Sequence, residues 1–352
     1  MFLSGLGTAA PPHRYSQAQC WEAFRACEQY RRLGRRAQVL VEQVLLGDSG
    51  IAGRHLAPAE LHEVFDINPD TLHRRFALHA PRLATEAARR ALDDAGVTAG
   101  QVDAVIASTC TGYLCPGITS YLVEGLGLCP EVLALDLVGQ GCAAALPNWS
   151  MAEALVAAGR ARHVLSVCVE VSSAAMYVDN DPGVLISGCL FGDGAGAALL
   201  SARPPAGRRR IAWRQGGSLT DPGRRDLLRF EQRGGMLRNI LTRPVPRLAA
   251  RYAAEVLGRV LKTEEVAREE IGVWIWHAGG RDVLSALQER LGLSDEHLKY
   301  SRAMLAEYGN LSSAFVYFVL EAAIRDPAPG GLWWMSSFGA GFSCHGALLR
   351  VD

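Results

Sequence analysis

Hydrophobic and polar positions divide the chain into two regimes. Over residues 17–46 and 71–95, apolar side chains recur at three- and four-residue spacing among Arg and Glu. That spacing puts them on one face of a helix, so both segments are expected to be helical. Further on, short apolar runs alternate with longer helical patterns. Residues 102–107, 132–137 and 164–169 read as strands, and 117–126 and 143–158 as helices. The run at 164–169 has no polar side to offer solvent, apart from Ser166, and reads as a strand buried on both faces. Alternation of this kind implies a mostly parallel sheet covered by helices, an α/β fold.

The run Ser201-Ala202-Arg203-Pro204-Pro205-Ala206-Gly207-Arg208-Arg209-Arg210 is polar and rich in helix and strand breakers. It is taken as the boundary between an N-terminal half, 1–205, and a C-terminal half, 206–352. Two short echoes support a division into related halves. Phe191-Gly192-Asp193-Gly194 and Phe338-Gly339-Ala340-Gly341 each lead into a small, apolar run, and Leu126-Gly127-Leu128 is matched by Leu291-Gly292-Leu293. Two αβ halves packed about a pseudo-dyad are the expected architecture.

Composition narrows the class more than the chemistry. The chain has 352 residues, 49% hydrophobic and 20% charged, with 36 Lys+Arg against 36 Asp+Glu. A zero formal balance supplies no long-range pull toward nucleic acid or an anionic membrane. No apolar run is long and charge-free enough to span a bilayer, and the first residues lack the charged start and apolar core of a signal peptide. The nine cysteines are scattered, form no C-x-x-C pair, and are not at zinc-ligand spacing from the nine histidines. A reduced, metal-free, cytoplasmic protein is expected.

Three motifs can carry chemistry. In Gly139-Gln140-Gly141-Cys142-Ala143-Ala144-Ala145, glycines turn the chain after a strand and Cys142 opens a helix. Unpaired N–H groups and the helix dipole would stabilise its thiolate there. In Trp274-Ile275-Trp276-His277-Ala278-Gly279-Gly280, His277 follows an apolar strand, at the end where α/β sheets place ligand-facing groups. In Tyr308-Gly309-Asn310-Leu311-Ser312-Ser313-Ala314, Asn310 precedes a helix. Taken singly, each has a plain structural reading: a buried inert thiol, a core histidine bonded to backbone, and a helix cap.

As a set, these motifs resemble the Cys-His-Asn triad of the type III polyketide synthases, the chalcone synthase-like family. The resemblance runs from about Thr71 to the C-terminus and adds Cys110-Thr111-Gly112-Tyr113-Leu114-Cys115-Pro116-Gly117, Leu190-Phe191-Gly192-Asp193-Gly194 and Phe338-Gly339-Ala340-Gly341. It implies a thiolase fold of αβαβα layers and a homodimer. Cys142 would hold the acyl chain as a thioester, while His277 and Asn310 would form the oxyanion hole for decarboxylating malonyl-CoA. An acyl-CoA starter would be extended repeatedly and cyclised to an aromatic or pyrone product, with no metal or redox cofactor. Delivery of the starter by a carrier protein is compatible with this. Phe191 would gate the passage between CoA tunnel and cavity; Cys110 and Cys115 fall where family members line the cavity or reach across the dimer, and Thr111, Ser312 and Phe338 would line the cavity or support it.

The match is weakest at the CoA phosphates. Where plant enzymes carry cations on an N-terminal helix, this chain has Val41-Glu42-Gln43-Val44-Leu45-Leu46-Gly47-Asp48, leaving Arg31, Arg32, Arg35, Arg36 or Arg54 as substitutes. The second gatekeeper aromatic has no clear counterpart around Met236-Leu237-Arg238-Asn239-Ile240. Starter, chain length and ring closure are therefore not read. Rival readings are an initiating ketoacyl-carrier-protein synthase, whose His motif differs from His277-Ala278-Gly279-Gly280, and a catalytically silent scaffold of the same fold. Gly192-x-Gly194-x-Gly196 lacks the G-x-G-x-x-G spacing of a dinucleotide site.

Overall fold

A computed structural model describes residues 1–326 and 328–352. The elements run β1 (Phe2–Ala9), β2 (Arg14–Ser16), α1 (Gln17–Ala26), α2 (Glu28–Arg31), α3 (Arg35–Leu46), β3 (Gly53–His55), α4 (Pro69–Ala95), β4 (Ala104–Ser108), α5 (Ile118–Leu126) and β5 (Leu133–Asp136). They continue with α6 (Ala145–Ala157), β6 (His163–Val171), α7 (Pro182–Leu190), β7 (Asp193–Ser201), β8 (Ile211–Thr220), β9 (Leu228–Arg233), β10 (Met236–Leu241) and α8 (Val245–Glu264). The chain ends with β11 (Ile271–Trp276), α9 (Arg281–Leu291), α10 (Asp295–Tyr308), α11 (Phe315–Arg325), β12 (Gly331–Gly339) and β13 (Ser343–Val351).

Nine strands lie in the order β11-β12-β13-β8-β1-β7-β6-β4-β5. The strands up to Ser201 occupy one side of this order and those from Ile211 the other. The two groups join where Phe2 and Leu3 pair with Ala212 and Ile211 and Trp213 N donates to Met1 O (3.0 Å). Parallel pairs lie toward the edges (β4 with β5 and β6, β11 with β12), whereas β1, β7, β8 and β13 pair antiparallel. The sheet is thus mixed, not mostly parallel as the alternation implied: β12 turns directly back into β13, and β6 reaches its antiparallel neighbour β7 by way of α7.

Helices α6 and α11 sit between the two strand groups. α6 packs on β4 and β6 as well as β12 and β13, and α11 on β1 and β7 as well as β11 and β12. The sequence of α11, Phe-Val-Tyr-Phe-Val-Leu-Glu-Ala-Ala-Ile-Arg, is apolar nearly all round, as a helix covered on both sides requires. The outer layers are amphipathic: α4 covers β1, β6 and β7, and α8 covers β8 and β13. Together these make five layers, αβαβα. β6 is buried on both faces, as its composition predicts.

Two local expectations are corrected. Cys142 does not open α6; it sits in a single 3-10 turn, Gly141–Ala143, and α6 starts at Ala145. Arg54 is not available at the surface. It is 4% exposed, donating to the carbonyls of Gly188 (2.8 Å) and Phe191 (3.0 Å) and to Gln17 Oε1 (3.1 Å).

Candidate active site

Three segments converge on one cavity. Cys142 rides on the turn after β5, where Gly139 (φ +83°) and Gly141 (φ +54°) occupy left-handed conformations that favour glycine. The end of β12 is pressed against that turn: a Cβ on Gly339 would stand 2.7 Å from Ala143 N and 2.8 Å from Gln140 O. His277 follows β11, tied to β12 by its N–H to Ser336 O (2.9 Å), and is 1% exposed. Phe338 and Phe315 meet its ring edge-on at 5.2 and 5.6 Å between centroids, and Nδ1 has no partner among the described residues.

Asn310 reaches the same place from the loop after α10. Its N–H donates to Leu190 O (2.9 Å) and its carbonyl accepts from Gly192 N (3.0 Å), which locks it beside Phe191. Its Oδ1 accepts from Ser312 N (2.8 Å) and its Nδ2 donates to Gly279 O (3.2 Å). The turn-forming role that a lone Asn would have is present here as well, and the side chain still faces the cavity.

Behind Cys142 lies a buried polar cluster. Ser312 Oγ is 3.1 Å from Cys142 Sγ, 3.3 Å from Cys110 Sγ and 3.2 Å from Glu170 Oε1. Glu170 lies fully buried on β6 and accepts from Thr111 Oγ1 (2.9 Å), Cys110 N (3.1 Å), Cys110 Sγ (3.3 Å) and Ser313 Oγ. Burial pushes its pKa up, opposed by the hydrogen bonds from Ser313 and the Cys110 N–H. The Cys110 thiol is the largest cause holding Cys142 well below the ordinary thiol range. Burial opposes it, and His277 and Ser312 add to the lowering. Cys110 is correspondingly pushed up, first by Cys142, then by burial and by Glu170. Cys142 is therefore the more readily ionised of the two thiols.

Cys142, His277, Asn310, Phe191 and Phe338 share an outer cavity of about 820 Å³. Its far wall is the apolar face of α3 (Leu40, Val44), and its rim carries Arg243 and Arg281 together with Asp48, Asp181 and Asp282. Arg281 bonds to Asp48 at 2.8 Å, whereas Arg243 is exposed. A much smaller inner cavity, about 30 Å³, lies across Phe191 and Asn239, which line both.

Of the expected lining residues, Thr111 faces the inner cavity, Phe338 the outer one, and Cys110 and Ser312 stand behind the sulfur. Cys115 is exposed, in the loop that also exposes Tyr113, and lines neither cavity of this chain. Sequence reading missed Glu170, although a carboxylate inside a strand with no solvent side was a usable signal. It also missed Arg243 and Arg281, the latter paired with the sequence-distant Asp48. Among the described residues, no three His, Cys, Asp or Glu side chains are grouped to hold a metal ion.

Relatives share this arrangement of the chain. A sequence model of the family described as FAE1/type III polyketide synthase-like protein matches residues 9–214, and one for the C-terminal domain of chalcone and stilbene synthases matches 231–350. The 1,3,6,8-tetrahydroxynaphthalene synthase of Streptomyces peucetius subsp. caesius is 30% identical over 99% of this chain and 92% of its own. The 3,5-dihydroxyphenylacetyl-CoA synthase of Streptomyces toyocaensis is 27% identical, over 99% and 89%. In structure, PKS-I from the brown alga Ectocarpus siliculosus superposes with a TM-score of 0.89 at 26% identity, covering 99% of this chain and 98% of that one. The tetrahydroxynaphthalene synthase of Streptomyces coelicolor A3(2) gives the same TM-score at 24% identity over 99% of each, a likeness of fold. With both family models matched in order and a relative 30% identical along almost the whole length, this thiolase-fold chain belongs to the type III polyketide synthases, condensing enzymes of the acyltransferase class.

Proposed function

We propose that Cys142, His277 and Asn310 are the catalytic residues of an iterative malonyl-CoA condensation on this chain. The observation that carries the reading is their convergence on one large cavity, where the neighbours of Cys142 favour its ionised form. Cys142 attacks the carbonyl carbon of a starter acyl-CoA and expels CoA thiolate, leaving an acyl thioester. Malonyl-CoA then enters with its thioester oxygen toward His277 and Asn310. Loss of CO2 leaves an enolate on that oxygen, where two fixed donors stabilise it. The enolate carbon attacks acyl-Cys142 and expels the sulfur, and the lengthened chain returns to Cys142 for another round before it cyclises. Every electron pair stays within C–C, C–O and C–S bonds, so the sequence of steps needs no redox cofactor.

Support for CoA esters comes from the cavity's volume and rim. Arg243 and Arg281 are the cations placed to meet the phosphates, in place of the N-terminal helix, whose lining residues Leu40, Gln43 and Val44 carry no charge. A homodimer is part of the same reading. β5 ends the sheet with one edge unpaired, and Leu133 on it, Val138 after it and Tyr113 after β4 are exposed apolar groups.

The test is incubation with malonyl-CoA and a panel of acyl-CoA starters, followed by product analysis and intact-protein mass. The expected result is an acyl adduct on Cys142 and ketide products, both absent in Cys142→Ala. Products that persist in Cys142→Ala, or neither adduct nor CO2 release with any starter, overturn it.

A further inference from the structure

The hairpin β9–β10 walls the outer cavity, yet the main sheet does not hold it. Its two strands pair only with each other, and among the described residues no backbone hydrogen bond joins either to another element. A two-stranded hairpin is marginal by itself, so side chains must set its position. Leu228, Asn239 and Leu241 on the hairpin line the cavity together with Asp181, Gly183 and Ile186, which belong to the start of α7. The two walls touch closely: a Cβ on Gly183 would stand 1.9 Å from Leu241 O.

One side chain ties the hairpin to that segment. Arg238, buried on β10, donates from Nε to Asp179 Oδ2 (2.8 Å) and from Nη1 to Glu231 Oε1 (2.9 Å), and its Nη2 lies 3.2 Å from Asp181 Oδ2. The planar guanidinium carries five donors in a fixed fork, which lets one residue hold three carboxylates. The acids on the far side are fixed in turn. Asp181 N donates to Asp179 Oδ1 (2.9 Å), and Asp181 Oδ1 caps α7 by accepting from Gly183 N (2.9 Å) and Val184 N (3.3 Å). Phe191 ends that helix. Neither Asp179 nor Asp181 has another cation within 4.0 Å among the described residues. Without Arg238, Glu231 on the hairpin would face two like charges on the opposite segment.

We propose that Arg238 is a positioning residue for the condensation: it holds the hairpin against the start of α7, and so sets the width and the charge of the passage by which CoA thioesters reach Cys142. This rests on the reading of Cys142 as the acyl carrier and of CoA esters as substrates. Arg238 lines neither cavity, so it acts through the walls it joins and not on the reacting atoms. When the guanidinium is lost, the like charges of Glu231, Asp179 and Asp181 part and the hairpin moves off α7. The anionic thioester then meets an acidic wall at Asp181. A change felt equally by bound substrate and transition state raises KM and spares kcat.

The experiment measures KM and kcat for malonyl-CoA in product formation, beside the rate at which iodoacetamide, small and uncharged, alkylates Cys142. Arg238→Met is expected to raise KM by about tenfold or more, the span of one charge-assisted contact, with kcat within about threefold of wild type. The alkylation rate should not change. Arg238→Lys keeps the positive charge and should recover most of the KM. Adding Glu231→Gln to Arg238→Met removes one of the opposed charges and should recover part of it. Asp179→Asn breaks a single contact, should raise KM severalfold, and carries the test should Arg238→Met fold poorly. An unchanged KM in Arg238→Met, or in Asp179→Asn where it stands in, overturns this inference alone. So does a joint loss of kcat and alkylation that Arg238→Lys leaves unrepaired, which would assign Arg238 to upkeep of the fold. Absence of turnover in wild type overturns the inference together with the reading it rests on.

Discussion

At the scale of single residues, the site depends on which of two neighbouring sulfurs is charged. Cys110 and Cys142 share the hydroxyl of Ser312, whose single proton serves one acceptor at a time. Glu170 stands beside Cys110 and disfavours a second anion there, so the negative charge collects on Cys142. Alkylation follows the thiolate. Its rate at Cys142, read by peptide mass after iodoacetamide, should therefore titrate below the value of about 8.5 for a free thiol. In Cys110→Ala the midpoint should move upward, because the largest stabiliser of the thiolate is gone. A midpoint indifferent to Cys110 would show that its thiol does not donate to Cys142.

At the scale of elements, the nucleophile turn is held by strand β12 as much as by its own glycines. Gly339 ends β12 against Gln140 and Ala143, and the residue beside it, Phe338, packs on His277. One methyl group at Gly339 must displace backbone atoms of the turn, and a displacement of 1 Å at a reacting atom can cost about a hundredfold in rate. Gly339→Ala is expected to lower turnover by at least about tenfold while the thermal midpoint changes by only a few degrees. Unchanged turnover would mean that the turn is positioned from the α6 side alone. α11 makes the complementary point. It is covered by strands on both sides, so its position is set by packing rather than by a cap, and no side chain caps its N-terminus.

At the scale of the whole molecule, the sheet carries a histidine that burial keeps uncharged. His345 on β13 is 9% exposed, shares a hydrogen bond with Ser218 (2.8 Å) and has no partner at Nε2. Burial lowers its pKa to about 4. In the unfolded chain it protonates near pH 6.5, so between pH 6.5 and 4 the unfolded state binds the extra proton and stability falls as the pH falls. The loss reaches at most about 3 kcal/mol at pH 4 and is absent above pH 7. Urea midpoints at pH 7.5 and pH 5 should therefore lie closer together in His345→Gln than in wild type. Equal pH sensitivity in the two proteins would assign the acid lability to other groups.

Local order was legible in the residues because it obeys local rules. Helical spacing located α4, unbroken apolar runs located β6, and glycine turns flanked Cys142 and His277. The motif set carried the family, since several short motifs in one order are far more specific than any one. What only the tertiary structure decided lies where partners are far apart in sequence. Glu170 meets Cys110 and Ser312 across 60 and 142 positions, and Arg281 meets Asp48 from another element. Asn239, in the segment where no second gatekeeper aromatic was recognised, lines both cavities beside Phe191 because of where the hairpin β9–β10 packs. Propensity and periodicity report each residue's backbone and its exposed or buried side. The identity of the atom it faces is settled by packing of the layers, which no local pattern encodes.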